Sequence, residues 1–121
     1  MEFKEKQAIY LQIAEYFYEN ILLNRWKPGD RIPSVRELAI STEVNPNTVM
    51  RTFTYLQDKG IIFNKRGIGY FVSDNAVDLT KSTKKEIFIN TELPEFFKTM
   101  ELLKVDFKDL QKLYNKFSNK K

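Results

Sequence analysis

A mainly α-helical domain with one small β-hairpin, followed by a short helical tail, is the fold class this sequence predicts. Three observations predict it. Two helix starts stand back to back between Ser34 and Gly60, a pair of β-rich runs follows Gly60 directly, and helical spacing returns from Val77 onward.

The first of the paired helices opens at Ser34. Its hydroxyl can accept a bond from an orphan backbone N–H while Glu37, three residues on, reaches back to form a capping box. The second opens at Asn45-Pro46: asparagine is a favoured N-cap, and proline at the first helical position lacks an N–H that would be unsatisfied there anyway. Pro46 also disfavours the α region at Asn45, so the two segments should be separate helices joined by a tight turn. Val49, Phe53 and Leu56 are spaced to face a core until Gly60, which suits the left-handed position after a helix end.

Ahead of this pair, Gln7 to Asn24 carries Ile9, Ile13, Phe17 and Ile21 at steps of four, widened by Tyr10, Ala14 and Leu22, and reads as a core helix. Trp26, before the Pro28-Gly29 turn, reads as a cap over that core or as a ligand-stacking ring. Asp30-Arg-Ile-Pro is too short for a helix and fits a brief extended segment beside the later hairpin, which would bring the strands to three. Ile61-Ile-Phe-Asn and Gly69-Tyr-Phe-Val-Ser, joined through Lys65-Arg-Gly-Ile, form that hairpin. Gly67 and Gly69 either close it or let its backbone approach something outside the protein.

Composition excludes several functions. The 121 residues suffice for one ordinary domain, or for a small domain with an appendage, and exclude a large enzyme. With 42% hydrophobic and 30% charged residues the chain has a globular composition, and no apolar run approaches the roughly 18 residues of a membrane span. Met1-Glu-Phe-Lys-Glu-Lys lacks the apolar region and cleavage site of a signal peptide, so a cytoplasmic location is expected. There is no cysteine and no histidine, which removes disulfides, the commonest metal ligands and the commonest general base. No cofactor, no metal and no enzymatic activity are expected.

Charge distribution then points to a partner. The net charge is only +4, but residues 44–73 hold Arg51, Lys59, Lys65 and Arg66 against Asp58 alone. Residues 1–43 hold 6 basic against 7 acidic residues. The second helix and the hairpin are therefore poor in acid where a phosphate backbone would approach, as a winged helix-turn-helix bound to double-stranded DNA requires.

Four segments carry a resemblance: Tyr10-Leu-Gln-Ile-Ala, Trp26-Lys-Pro-Gly-Asp-Arg-Ile-Pro-Ser-Val-Arg-Glu-Leu-Ala, Val44-Asn-Pro-Asn-Thr-Val-Met-Arg-Thr and Arg66-Gly-Ile-Gly-Tyr-Phe-Val. In this order, over about residues 7–73, they are similar to the DNA-binding domain of GntR-family transcription regulators. The resemblance implies homodimeric binding to palindromic operators, mostly as a repressor released by a small effector. It implies a DNA contact for Arg36, polar recognition-helix positions at Asn45, Asn47 and Thr48, and a wing tip at Arg66 and Gly67. The chain departs from many members at Met50, where they have arginine.

The residues themselves support those roles. A recognition helix enters the major groove N-terminus first, so first-turn side chains reach base edges. Asn45 or Asn47 could pair with adenine, Asn45 having capping as its competing task, and Arg51 with guanine or a phosphate. Lys65 and Arg66 at the hairpin tip suit a phosphate or a minor-groove edge. Arg36 is a phosphate or groove contact, or else a surface ion pair near Glu37.

The expected division is a winged helix-turn-helix over 1–73 and a helical tail over 74–121. In the tail, Val77 to Phe88 has helical spacing, Thr91 can cap a second helix with Pro94 in its first turn, and Asp106 can cap a third. A tail this short cannot cover its own aromatics, and a second copy would. Phe88, Phe96, Met100, Phe107, Leu110, Leu113 and Phe117 are the expected dimerisation residues. The short tail resembles the YtrA-like branch of the family. An aromatic-lined gap between the tail and the DNA-binding domain could accept an apolar small-molecule effector, although core packing is the better explanation of the same aromatics, and a winged helix that docks protein instead of DNA is the alternative function.

Overall fold

The structure, a computed structural model, describes residues 7–120. Met1–Lys6, which carry the reading against a signal peptide, and Lys121 lie outside the described residues. The chain divides into two compact units, one ending at Thr83 and the other starting at Lys84.

In the first unit, α1 (Ile9–Leu22) buries Ile13, Ala14, Phe17 and Ile21 as its periodicity predicts. The buried arc is rotated from the expected stripe, however. Ile9 and Leu22 are exposed, whereas Gln12, Tyr18 and Asn20 are buried. The polar members of this arc are satisfied locally, since Asn20 donates to the Tyr16 carbonyl at 2.8 Å and Gln12 to the Gln7 carbonyl at 2.7 Å. Trp26 packs on the core edge-on to Phe17 (centroids 5.1 Å apart) and Tyr16 (5.6 Å), as a cap.

α2 (Val35–Thr42) begins at Ser34 with the complete capping box: the Glu37 N–H donates to Ser34 Oγ at 3.0 Å and the Ser34 N–H donates to Glu37 Oε1 at 3.2 Å. α3 (Pro46–Asp58) begins at Asn45 with proline in its first turn. Between them the chain reverses at Glu43, which takes a left-handed conformation (φ 55°) while the Val44 N–H donates to the Ala39 carbonyl at 3.1 Å. A side chain is strained in that region and glycine is not. Glu43→Gly should therefore raise stability by about 0.5–1 kcal/mol, the relief of strain exceeding the added entropy of the unfolded chain. Urea denaturation measures it as a higher midpoint at unchanged slope.

Gly60 follows α3 with φ 76°, and β1 (Ile62–Lys65) pairs antiparallel with β2 (Gly69–Val72) in the register Ile62 to Val72 and Lys65 to Gly69. The extended segment expected at Asp30–Pro33 lies along β2. The Val72 N–H donates to the Asp30 carbonyl (2.9 Å) and the Ile32 N–H to the Tyr70 carbonyl (3.0 Å), with a bridge between Arg31 and Phe71. It thus adds a bridge, not a full third strand, to a two-stranded sheet.

α4 (Ala76–Ile87) buries Ala76, Thr80 and Thr83. Those contacts hold its first two turns in the first unit, so the structural division comes at Thr83, later than the Asp74 tail start expected from sequence. In the second unit the expected N-cap at Thr91 is absent. The backbone stays helical through a π-helical turn (Phe88–Glu92) into α5 (Leu93–Leu103), with helical dihedrals at Glu92 (φ −74°, ψ −43°). The wider turn lies just ahead of Pro94, whose ring would crowd a carbonyl of the preceding turn in a regular helix. α6 (Phe107–Ser118) starts at Asp106 with the expected cap, completed by Asp109. None of the seven expected dimerisation residues is buried: Phe107 is 73% exposed, Phe117 62% and Phe88 49%, with Phe96 and Leu113 also exposed and Met100 and Leu110 half-buried.

Candidate nucleic-acid interface

Four buried residues of α3, Val49, Thr52, Phe53 and Leu56, fix how the helix is rotated. The opposite face then follows from the helical period: Asn47, Arg51 and Thr54 point outward, with Asn47 and Arg51 one turn apart. Met50 is exposed on the flank of this face. Thr48 sits half-buried on the other flank.

The individual side chains are engaged to different degrees. The Asn45 side-chain oxygen accepts the Asn47 N–H at 2.8 Å, so it is occupied by capping. The Asn47 side chain is exposed. The Arg51 guanidinium lies over the ring of Tyr10, with Cζ 4.0 Å from the centroid. Arg36 is exposed on the first turn of α2, beside a Glu37 carboxylate that caps Ser34.

At the hairpin, the Ile68 N–H donates to the Lys65 carbonyl at 2.9 Å, closing a turn with Arg66 and Gly67 at its corners. Gly67 has φ 77°, as the third position of a type II turn requires, and a Cβ there would meet nothing within 4 Å. Arg66 and Gly67 are therefore presented at an open tip. Lys65 instead folds back, its Nζ 4.6 Å from the centroid of Phe71, a ring that stacks on Phe63 across the two strands (5.8 Å). Gly69 differs from Gly67: a Cβ there would come within 2.9 Å of Arg31 Nε. Its close approach is to a side chain of the protein itself, not to something outside.

Sequence reasoning missed two residues of this surface. Arg31 lies against the base of the wing, and Tyr10 carries Arg51. The alternation in Asp30-Arg-Ile-Pro held the signal for Arg31, since a buried Ile32 puts its neighbour on the outer face. For Tyr10 no local signal exists, because its partner lies forty-one positions away.

Beneath the interface, Tyr18 donates to the hydroxyl of Tyr55 at 3.3 Å. Burial first, and then the Tyr55 hydrogen bond, push the Tyr18 phenol far above the ordinary tyrosine range, so it remains a neutral donor.

Residues 9–72 match the family described as bacterial regulatory proteins, gntR family. Over 75 residues the chain is 43% identical to the HTH-type transcriptional regulator YhcF of Bacillus subtilis, covering 62% of each chain. Over 73 residues it is 44% identical to the HTH-type transcriptional repressor YtrA of the same bacterium, covering 60% of this chain and 56% of YtrA. The matched region thus spans about three-fifths of the length of these relatives, which are named as regulators and not as enzymes. The crystal structure described as a GntR-family transcriptional regulator from Bacteroides thetaiotaomicron is similar through the helical tail, with 44% identity, a TM-score of 0.78 and coverage of 93% of this chain and 98% of that one. With the paired helices and the wing in place across the matched residues, the chain belongs to the gntR family of bacterial regulatory proteins.

Proposed function

We propose that this protein is a sequence-specific transcription repressor that binds a palindromic operator as a homodimer. Support for DNA as the partner comes from one observation above all: the outward face of α3 carries Arg51 and the wing carries Lys65 at the end of its first strand and Arg66 at its tip, with Asp58, at the far end of the helix, as the one acid of residues 44–73. In this reading Asn47 and Arg51 address base edges, Thr48 and Asn45 shape the helix entry, and Arg36, Lys65, Arg66 and Gly67 meet the backbone or the minor groove. The repressor role is supported by the likeness to YtrA, which is named a repressor. The homodimer is supported by the uncovered apolar side chains of α5 and α6. Regulation by a small effector and action in the cytoplasm go with this role.

Selection of duplexes from a random-sequence library by the full chain, followed by mobility-shift titration at two salt concentrations, tests the reading. A palindrome should be enriched, and log affinity should fall steeply with log salt, because each neutralised phosphate releases counterions. Arg66→Ala should weaken all duplexes alike and lower the salt slope by about 1. A chain that binds no duplex at either salt concentration is a protein-docking winged helix instead.

A further inference from the structure

Tyr10 lies on α1, outside the helix-turn-helix, and its place in the apolar stripe of that helix suggests only packing. In the structure it is half-buried, and what covers it is the guanidinium of Arg51, with Cζ 4.0 Å from the ring centroid. The residue is held at its ring and at its backbone. The ring meets Tyr55 edge-on, with centroids 6.0 Å apart and planes at 76°, and the Tyr10 carbonyl accepts a 2.8 Å hydrogen bond from the fully buried Thr52 hydroxyl. Both partners are residues of α3, the helix that also bears Arg51.

We propose that Tyr10 is a positioning residue that sets DNA specificity through Arg51. This rests on the DNA-binding reading above. Arginine is long and flexible, and most of its rotamer freedom is lost when it binds a base edge bidentately. A ring beneath the guanidinium removes part of that freedom in advance. A guanidinium seated on a ring engages it through its π face and keeps its in-plane N–H donors available for a guanine edge or a phosphate. A contact to one base needs one orientation, whereas non-specific contact along the phosphates tolerates many. Tyr10 therefore acts more on discrimination than on general affinity.

The experiment uses the full chain, the duplex that the wild type selects from a random-sequence library, and an unselected duplex of the same length. Tyr10→Leu, which keeps an apolar side chain but no π face, should lower the ratio of selected to unselected affinity by about three- to ten-fold with the salt slope unchanged. Tyr10→Phe should retain the ratio, because its ring also attracts a cation. In an Arg51→Ala background Tyr10→Leu should have no further effect. A loss of equal size in that background marks a merely structural role and overturns the proposal, as does a folded Tyr10→Leu with the full ratio. Should circular dichroism show Tyr10→Leu unfolded, Tyr10→Met decides, since it too keeps an apolar side chain without a π face: a reduced ratio supports the proposal and a wild-type ratio overturns it. A wild type that selects no duplex overturns the regulator reading, and this inference with it; a wild type that selects one while the variants match it overturns this inference alone.

Discussion

Replacing Phe53 with alanine should remove about 3–5 kcal/mol of stability, a large part of what a domain of this size possesses. Phe53 is fully buried in the middle of α3 and joins three elements. Its ring meets Phe17 of α1 edge-on at 5.4 Å and Tyr70 of the wing at 4.7 Å. Phe17 in turn meets Trp26, and Trp26 meets Tyr16, so one series of edge-to-face rings runs through the core from the outside of α1 to β2. Alanine would leave a cavity at the branch point and remove two aromatic pairs worth about 0.5–1.5 kcal/mol each beyond their burial. Thermal melting followed by near-ultraviolet dichroism should show a broad, low-temperature transition with both the helix-turn-helix and the wing lost together. Retention of the wild-type midpoint would mean that the core does not run through this residue. Phe53→Leu, which keeps most of the volume, should be much milder.

Phe107→Asp should convert a dimer into a monomer without unfolding the protomer, and with it operator affinity should fall by at least about 100-fold. Phe107 is exposed in the protomer, so the substitution removes no intramolecular core contact, while a carboxylate placed in an apolar interface between two copies would be left without a partner. The affinity loss exceeds that of any single base contact because the second half-site is no longer held near the first. Sedimentation velocity at micromolar concentration reads the first effect and titration of the selected duplex the second. A wild-type chain that sediments as a monomer under those conditions would sink the dimer proposal, and a dimeric Phe107→Asp would move the interface away from the start of α6.

Features fixed by short-range chemistry were legible in the sequence. Ser34 with Glu37, Asn45 with Pro46, and Asp106 with its neighbours each carry a cap in two or three residues, and each helix starts where its cap predicts. The hairpin was equally legible, since β-branched runs around Lys65-Arg66-Gly67 permit little else. Thr91 misled because a cap competes with helix continuation, and a π-helical turn lets the helix continue past Pro94. In α1 the stripe was right in period but displaced in phase, because Tyr18 and Asn20 found polar partners that let them turn inward. At the candidate site, the outward placing of Asn47 and Arg51 follows from which α3 residues are apolar. The partners that hold the site do not: Tyr10 under Arg51 and Arg31 against Gly69 are joined only by folding.

The contact between Arg31 and Gly69 also divides the wing into a fixed and a variable part. Gly69 has φ 145°, a conformation strained for any side chain, and a Cβ there would also have to displace the guanidinium of the exposed Arg31, a small further cost. Arg66 and Ile68, in contrast, are exposed residues of a loop whose ends are already tied by strand pairing. Exchanging them would leave the core and the strand register untouched. Position 68 can thus differ between paralogous regulators and alter the recognition surface, while position 69 is held to glycine by its backbone conformation whatever stands at position 31. A glycine kept at 69, a basic residue kept at 66 and free drift at 68 are the evolutionary signature this geometry should leave.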